Sequence, residues 1–165
     1  MRMSGWIGAV ALWAMAGLAH AGEPMSSPLY GTWAVDVARL PMPPEARPRS
    51  VHIRFAPAPD GRLSTLVEVV GPDGMRMSAA SVSALDGVPV AVQGNLEADT
   101  ASTTMPRPDV LVMQLSRAGV PGSTRIYTLD ASGDTMTETG ANYGDDGRPV
   151  TRINHFARVV PRDAD

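Results

Sequence analysis

Residues 50–89 read SVHIRFAPAPDGRLSTLVEVVGPDGMRMSAASVSALDGVP, and three Asp-Gly pairs, Asp60-Gly61, Asp73-Gly74 and Asp86-Gly87, recur in that stretch every thirteen residues. Asp-Gly is a preferred hairpin turn because glycine accepts a positive φ. Between the turns the chain has β character: Val51, Ile53 and Phe55 share one face and His52 and Arg54 the other, the period of two that a half-buried strand requires. Equal spacing predicts an antiparallel meander, with strands somewhat longer than the usual repeat of sandwiches and barrels.

Outward from this stretch the pattern persists. Glycine and proline interrupt the chain too often for a long amphipathic helix. Strands are expected near 31–37, 50–56, 62–70, 75–84, 88–93, 109–117, 123–129, 134–140 and 149–160. Two proline-bearing stretches, Leu40 to Pro48 and Met105 to Pro108, are expected to be loops over a barrel mouth, because proline removes a ladder donor. The fold class is therefore all-β, an up-and-down meander closing into a barrel of eight to nine strands.

Residues 1–21 have the form of a secretory signal peptide. Arg2 supplies a positive start, Ile7 to Leu18 is an almost unbroken apolar run, and Ala19-His20-Ala21 is an A-x-A cleavage site. That core is about a dozen residues, short of the roughly 20 needed to span a bilayer. Cleavage after Ala21 leaves one domain, 22–160, and a short polar tail, 161–165. The expected location is periplasmic or secreted, with no membrane span after cleavage. The chain contains no cysteine, which excludes lipid attachment, disulfides and thiolate chemistry. Loss of Arg2 takes the net charge from -3 to -4. The remaining arginines are scattered, an arrangement that argues against nucleic acid as a partner.

Gly31-Thr32-Trp33 opens the first strand with G-x-W, which resembles the start of a lipocalin-type barrel. More of the chain resembles a family of small exported bacterial proteins with lipocalin-like (calycin-type) barrels and no established activity. The resemblance runs through Gly31 to Val37, Arg39, the segment Pro41 to Pro48, Asp86 to Val90, Gly94 to Thr100, and Asp145 to Val150 before a closing strand with Phe156. It implies a tryptophan at one end of the barrel with an arginine from the last strand against it, and both Arg152 and Arg158 are open for that role.

The residues that could carry chemistry are few. His52 and His155 are far apart and carry no ligand motif, so no metal site is expected. No Gly-x-Ser-x-Gly elbow is present, and Asp145-Asp146-Gly147 reads as a hairpin turn rather than a calcium loop. Glu68, Glu97 and Glu138 are candidates for acid-base work only if the fold brings carboxylates together. Met75, Met77, Met105, Met113 and Met136 could line an adaptable pocket or serve as ordinary core.

No catalytic residue and no cofactor is assigned. The expected function is non-catalytic binding of a small hydrophobic or amphipathic ligand inside the barrel, with Trp33, Val35, Phe55, Tyr127 and Phe156 contributing to the interior. Two rivals stand beside it. One is an interaction or structural module of the cell envelope with no internal ligand. The other is an enzyme, which a converging Glu, Arg and Tyr set would favour.

Overall fold

The computed structural model describes residues 26–94 and 96–160. The signal-peptide reading of 1–21 and the tail reading of 161–165 lie outside the described residues. Eleven strands form one antiparallel sheet: β1 (Gly31–Val35), β2 (Ser50–Ala58), β3 (Arg62–Val70), β4 (Arg76–Ser83), β5 (Val90–Ala91), β6 (Gln93–Gly94), β7 (Thr100–Arg107), β8 (Val110–Arg117), β9 (Val120–Leu129), β10 (Thr135–Tyr143) and β11 (Pro149–Arg158). Their order is β5-β7-β8-β9-β10-β11-β1-β2-β3-β4-β6, a meander curled into a nearly closed barrel. Among the described residues no helix is long and apolar enough to cross a membrane.

The first two Asp-Gly pairs act as their chemistry dictates. Asp60 and Gly61 both adopt left-handed backbone between β2 and β3, and Asp73 Oδ1 accepts the Met75 amide at 2.9 Å between β3 and β4. The third pair does not make a hairpin between neighbours. At Asp86-Gly87 the chain leaves β4 and crosses to the other edge of the sheet, where β5 pairs with β7 and β6 pairs with β4. The segment Val90–Gly94 thus joins the two edges and changes partner at Val92, whose N–H bonds the Asp99 carbonyl at 2.8 Å.

Two differences raise the strand count above the expected eight to nine. The predicted strand 88–93 is two short strands, and Met105 to Pro108 is not simply a loop: Met105, Pro106 and Arg107 end β7, a strand that the prolines masked. Pro106 is tolerated because the β7–β8 register shifts between Thr104 and Arg107, a bulge where no ladder donor is needed. The reading of β1 as 31–37 also shortens, since Val37–Arg39 is a 3-10 turn with Asp36 Oδ1 accepting the Ala38 amide.

Period-two alternation directs one face of every long strand inward. Ile53, Phe55, Leu63, Leu111, Tyr127, Met136 and Phe156 pack around Trp33. Tyr127 meets Phe55 and Phe156 edge to face, at centroid distances of 5.3 and 6.2 Å. Burying each such side chain contributes roughly 1.5–3 kcal/mol.

Ser27 to Tyr30 seal one end. Ser27 Oγ donates to the Pro108 carbonyl at 2.6 Å, Leu29 is fully buried, and Trp33 Nε1 donates to the Leu29 carbonyl at 2.9 Å. Of the two arginines left open, Arg158 is the one against Trp33, with its guanidinium carbon 4.2 Å from the ring centre. It also donates to the carbonyls of Pro28, Tyr30 and Gly133.

Candidate functional site

The five interior residues named from the sequence do not form one pocket. Trp33, Phe55, Tyr127 and Phe156 are buried core, and Val35 packs half-buried against them. Tyr127 lines a partly open cavity beyond the aromatic floor that measures about 50 Å³, and Phe156 lines a separate cleft with Asp36, Arg39 and His155. The cavity walls are mainly apolar, with Val67, Ala79, Ala101, Met113 and Leu115 from the sheet. Val92, Leu96 and Ala98 reach over it from the segment that closes the barrel, whereas Leu40 to Pro48, expected at the mouth, contribute nothing to its lining. Room of this size holds a few waters, or one end of a small molecule whose remainder lies outside it.

Arg125 and Glu97 line this cavity and connect it to the other polar residues of the interior. On β9 the inward face runs Leu129, Tyr127, Arg125, Ser123, and on β10 it runs Met136, Glu138, so one step of the strand repeat takes each from hydrophobe to charge. Arg125 Nη1 stands 3.8 Å from Glu138 Oε2, with both side chains largely or wholly withdrawn from water. Its Nη2 bonds the carboxylate of Glu97, which is 54% exposed. Asn154 Nδ2 on β11 donates to Glu138 Oε1 at 3.0 Å.

An ion pair at this separation attracts by about 4 kcal/mol at an effective dielectric constant near 20, and the desolvation of both ions offsets much of that. Burial works against the Arg125 charge, but Tyr127, Glu138 and Glu97 outweigh it and hold its pKa above the ordinary arginine value. Burial, reinforced by Glu138, pushes the Tyr127 phenol up in turn, so it stays a neutral donor.

Among the described residues, four buried side-chain polar atoms have no hydrogen-bond partner: Thr103 Oγ1, Ser123 Oγ, Arg125 Nε and Asn154 Oδ1. All four belong to inward-facing positions of the barrel. Buried polar groups are nearly always satisfied, so orphans gathered inside one barrel mark a place for polar occupants.

Beyond Glu97 the cavity gives way to a cleft of about 200 Å³, whose lining includes Arg117, Arg152, Ser123 and Asn142. Glu97 and Leu115 line both spaces. Arg117 is held by the carbonyls of Leu96 and Glu97. Arg152 makes no hydrogen bond or ion pair among the described residues.

Of the three glutamates singled out from the sequence, the fold brings Glu97 and Glu138 together on Arg125 and leaves Glu68 exposed on the outer face of β3. The five methionines do not converge. Met113 lines the cavity, Met136 is core and Met105 packs on it, but Met75 precedes β4 and is 61% exposed. His52 and His155 sit on β2 and β11, separated by β1. Arg125, Ser123 and Asn154 went unnamed in the sequence, although Arg125 stands two residues from the core position Tyr127.

The chain is a nearly closed antiparallel β-barrel with an apolar floor and an ionic pole, compatible with a calycin-like fold. Comparison with protein-family models, with curated proteins and with solved structures finds no match.

Proposed function

We propose that this is an exported lipocalin-like protein of the bacterial envelope or medium that binds a small amphipathic ligand in the barrel, without catalysing a reaction on it. The reading rests on one observation: the interior is divided into a packed apolar floor and an incompletely satisfied polar pole, of which Arg125 lines the small cavity at Tyr127. A barrel that served only as core would have no need of charges at those positions, since a well-packed hydrophobic replacement of a buried ion pair is often neutral or stabilising. Export follows from the signal-peptide pattern of residues 1–21.

Glu138, Arg125 and Tyr127 do converge, which is the arrangement a catalytic reading asks for. Their state favours binding: the phenol is held neutral and the carboxylate is already engaged by Arg125 and Asn154. A phenol held above its ordinary range is not poised to exchange a proton near neutral pH.

Native mass spectrometry of the protein purified from its own host, followed by organic extraction, tests the proposal. A stoichiometric small molecule lost on denaturation is expected. Protein that is uniformly unliganded, and that gains no thermal stability from any amphiphile in a screen, refutes it.

A further inference from the structure

We propose that the cleft beyond Glu97 binds a small tetrahedral oxyanion, either inorganic phosphate or the phosphate group of a small soluble ester, held by Arg152, Arg117 and Ser123. The cleft is a separate space from the cavity at Tyr127, so this inference does not rest on an amphiphile binding there.

Three observations carry it. The first is placement. On the inner face of the sheet Arg152 of β11 lies opposite Gly140 of β10, and in the next row Ser123 of β9 lies opposite Asn142 of β10. Gly140 has no side chain, and the stem of Arg152 lies over it: a Cβ there would meet Arg152 Cγ at 3.3 Å and Nε at 3.4 Å. Arg152 therefore leans inward across β10, and it lines one cleft of about 200 Å³ with Ser123, Asn142 and, from β8, Arg117.

The second is that the donors are unspent. Arg152 makes no hydrogen bond or ion pair among the described residues. Glu138, held by Arg125 and Asn154, forms no ion pair with it. Arg117 gives Nε to the Glu97 carbonyl and Nη2 to the Leu96 carbonyl, which fixes its position without neutralising its charge. Ser123 is only 7% exposed, and its hydroxyl has no partner among the described residues. A buried hydroxyl beside an open cleft is satisfied most simply by an occupant of that cleft.

The third is charge. Arg117, Arg152 and Glu97 are the charged residues that line the cleft, and the Glu97 carboxylate is already bonded to Arg125, which does not line it. Two guanidinium groups thus face the space without a carboxylate of their own, and guanidinium donors match phosphate oxygens well. The donors approach from β8, β9 and β11, which is from more than one side. A planar carboxylate takes its bonds near one plane, whereas tetrahedral oxygens point in every direction these strands offer. At about 30 Å³ for one water, the cleft has room for a group of five heavy atoms with water around it.

Isothermal titration calorimetry in low-chloride buffer tests the site, with inorganic phosphate, glycerol phosphate and acetate as probes. The proteins are wild type, Arg152→Gln, Ser123→Ala and, as a control for net charge, Arg54→Gln on the outer face of β2. Arg152 and Ser123 have no partner to lose, so both variants are expected to keep the wild-type Tm when phosphate is absent. Phosphate is expected to bind wild type at one per chain and to raise its Tm. Arg152→Gln should weaken that binding about tenfold and Ser123→Ala about fivefold, the scales of one charge-assisted and one neutral hydrogen bond. Arg54→Gln should leave it within about twofold. Glycerol phosphate binding as tightly as phosphate supports an ester as the ligand, and its rejection beside tight phosphate binding supports the free ion. Acetate binding as tightly as phosphate overturns the tetrahedral assignment. Equal weakening by Arg54→Gln and Arg152→Gln overturns the cleft as the site, and so does phosphate affinity unchanged in both Arg152→Gln and Ser123→Ala. Neither heat nor a Tm shift with either phosphate probe overturns the proposal outright. The amphiphile is read separately, by native mass spectrometry, and none of these results decides it.

Discussion

Replacement of Arg158 by methionine should unfasten the sealed end of the barrel. Arg158 Nε and Nη1 donate to the carbonyls of Gly133 and Tyr30 at 2.9 Å in part-buried surroundings, and Nη2 donates to Pro28 at 2.7 Å in solvent. The guanidinium also covers the Trp33 ring. Hydrogen bonds from a charged donor contribute about 1.5–3 kcal/mol each, the exposed one much less, and a partly buried cation–π contact adds about 1 kcal/mol. Methionine keeps the packing of the side-chain stem and strands two carbonyls, so Arg158→Met should cost about 4 kcal/mol. With an unfolding entropy near 2.1 cal/mol/K per residue over about 135 ordered residues, each kcal/mol shifts Tm by roughly 3.5 °C, and the expected fall is about 14 °C. Arg158→Lys retains the charge but not the fork that reaches three carbonyls, and should recover less than half of the loss. Urea titration followed by fluorescence measures this cleanly, because Trp33 is the only tryptophan after residue 21. A loss below 1 kcal/mol in the methionine variant, or a lysine variant as stable as wild type, would refute the account of this end as held by Arg158.

Three further outcomes are expected. Gly94→Ala places a Cβ 2.0 Å from the Ser78 carbonyl oxygen at a φ of +123°, so it should destabilise the barrel by more than about 2 kcal/mol and raise amide exchange at β6 and β4, read by hydrogen exchange. Glu138→Leu leaves Arg125 without its buried partner and should cost about 3 kcal/mol in urea unfolding, whereas Glu138→Leu with Arg125→Met should return to within about 1 kcal/mol of wild type. Tyr127 has a pKa raised in the fold, so above about pH 10 the unfolded chain releases a proton that the native state keeps. Stability is therefore full below that pH and falls as pH rises beyond it, and Tyr127→Phe should reduce the alkaline slope in a pH series of Tm values, leaving the smaller part due to the Tyr30 phenol, which burial also raises.

Local turn and strand chemistry was legible from the sequence, and long-range choices were not. The β2–β3 hairpin followed from Asp60-Gly61 and the alternation of Ile53 and Phe55, because both depend on neighbours in sequence. The strand at Thr100–Arg107 was hidden because Pro106 reads as a breaker unless a bulge receives it, and the bulge exists only in the pairing with β8. Trp33 was recognisable as the residue at one end, but the choice of Arg158 over Arg152 depends on the register of β11 against β1, which pairs Trp33 with Arg158. At the polar pole, Glu97 and Glu138 stood out as acids, while Arg125 passed as one more solvated arginine. Its signal was the strand period: Ser123, Arg125, Tyr127 and Leu129 lie on one face, and a charge in line with two buried hydrophobes needs an internal partner.

The join made by Val90–Gly94 governs how the molecule fails. Every other neighbouring pair of strands shares a long ladder or, for β1, is braced on both sides, but this segment contributes two paired residues to β7 and two to β4. It is the shortest stitch in the sheet, so heat or denaturant parts the barrel there first. What it uncovers is two edges, β4 and β7, each eight residues long. Unpaired edges of that length are templates on which another chain can add a strand. Gly94, pressed against the Ser78 carbonyl where no side chain fits, therefore guards the colloidal behaviour of the protein as well as its shape.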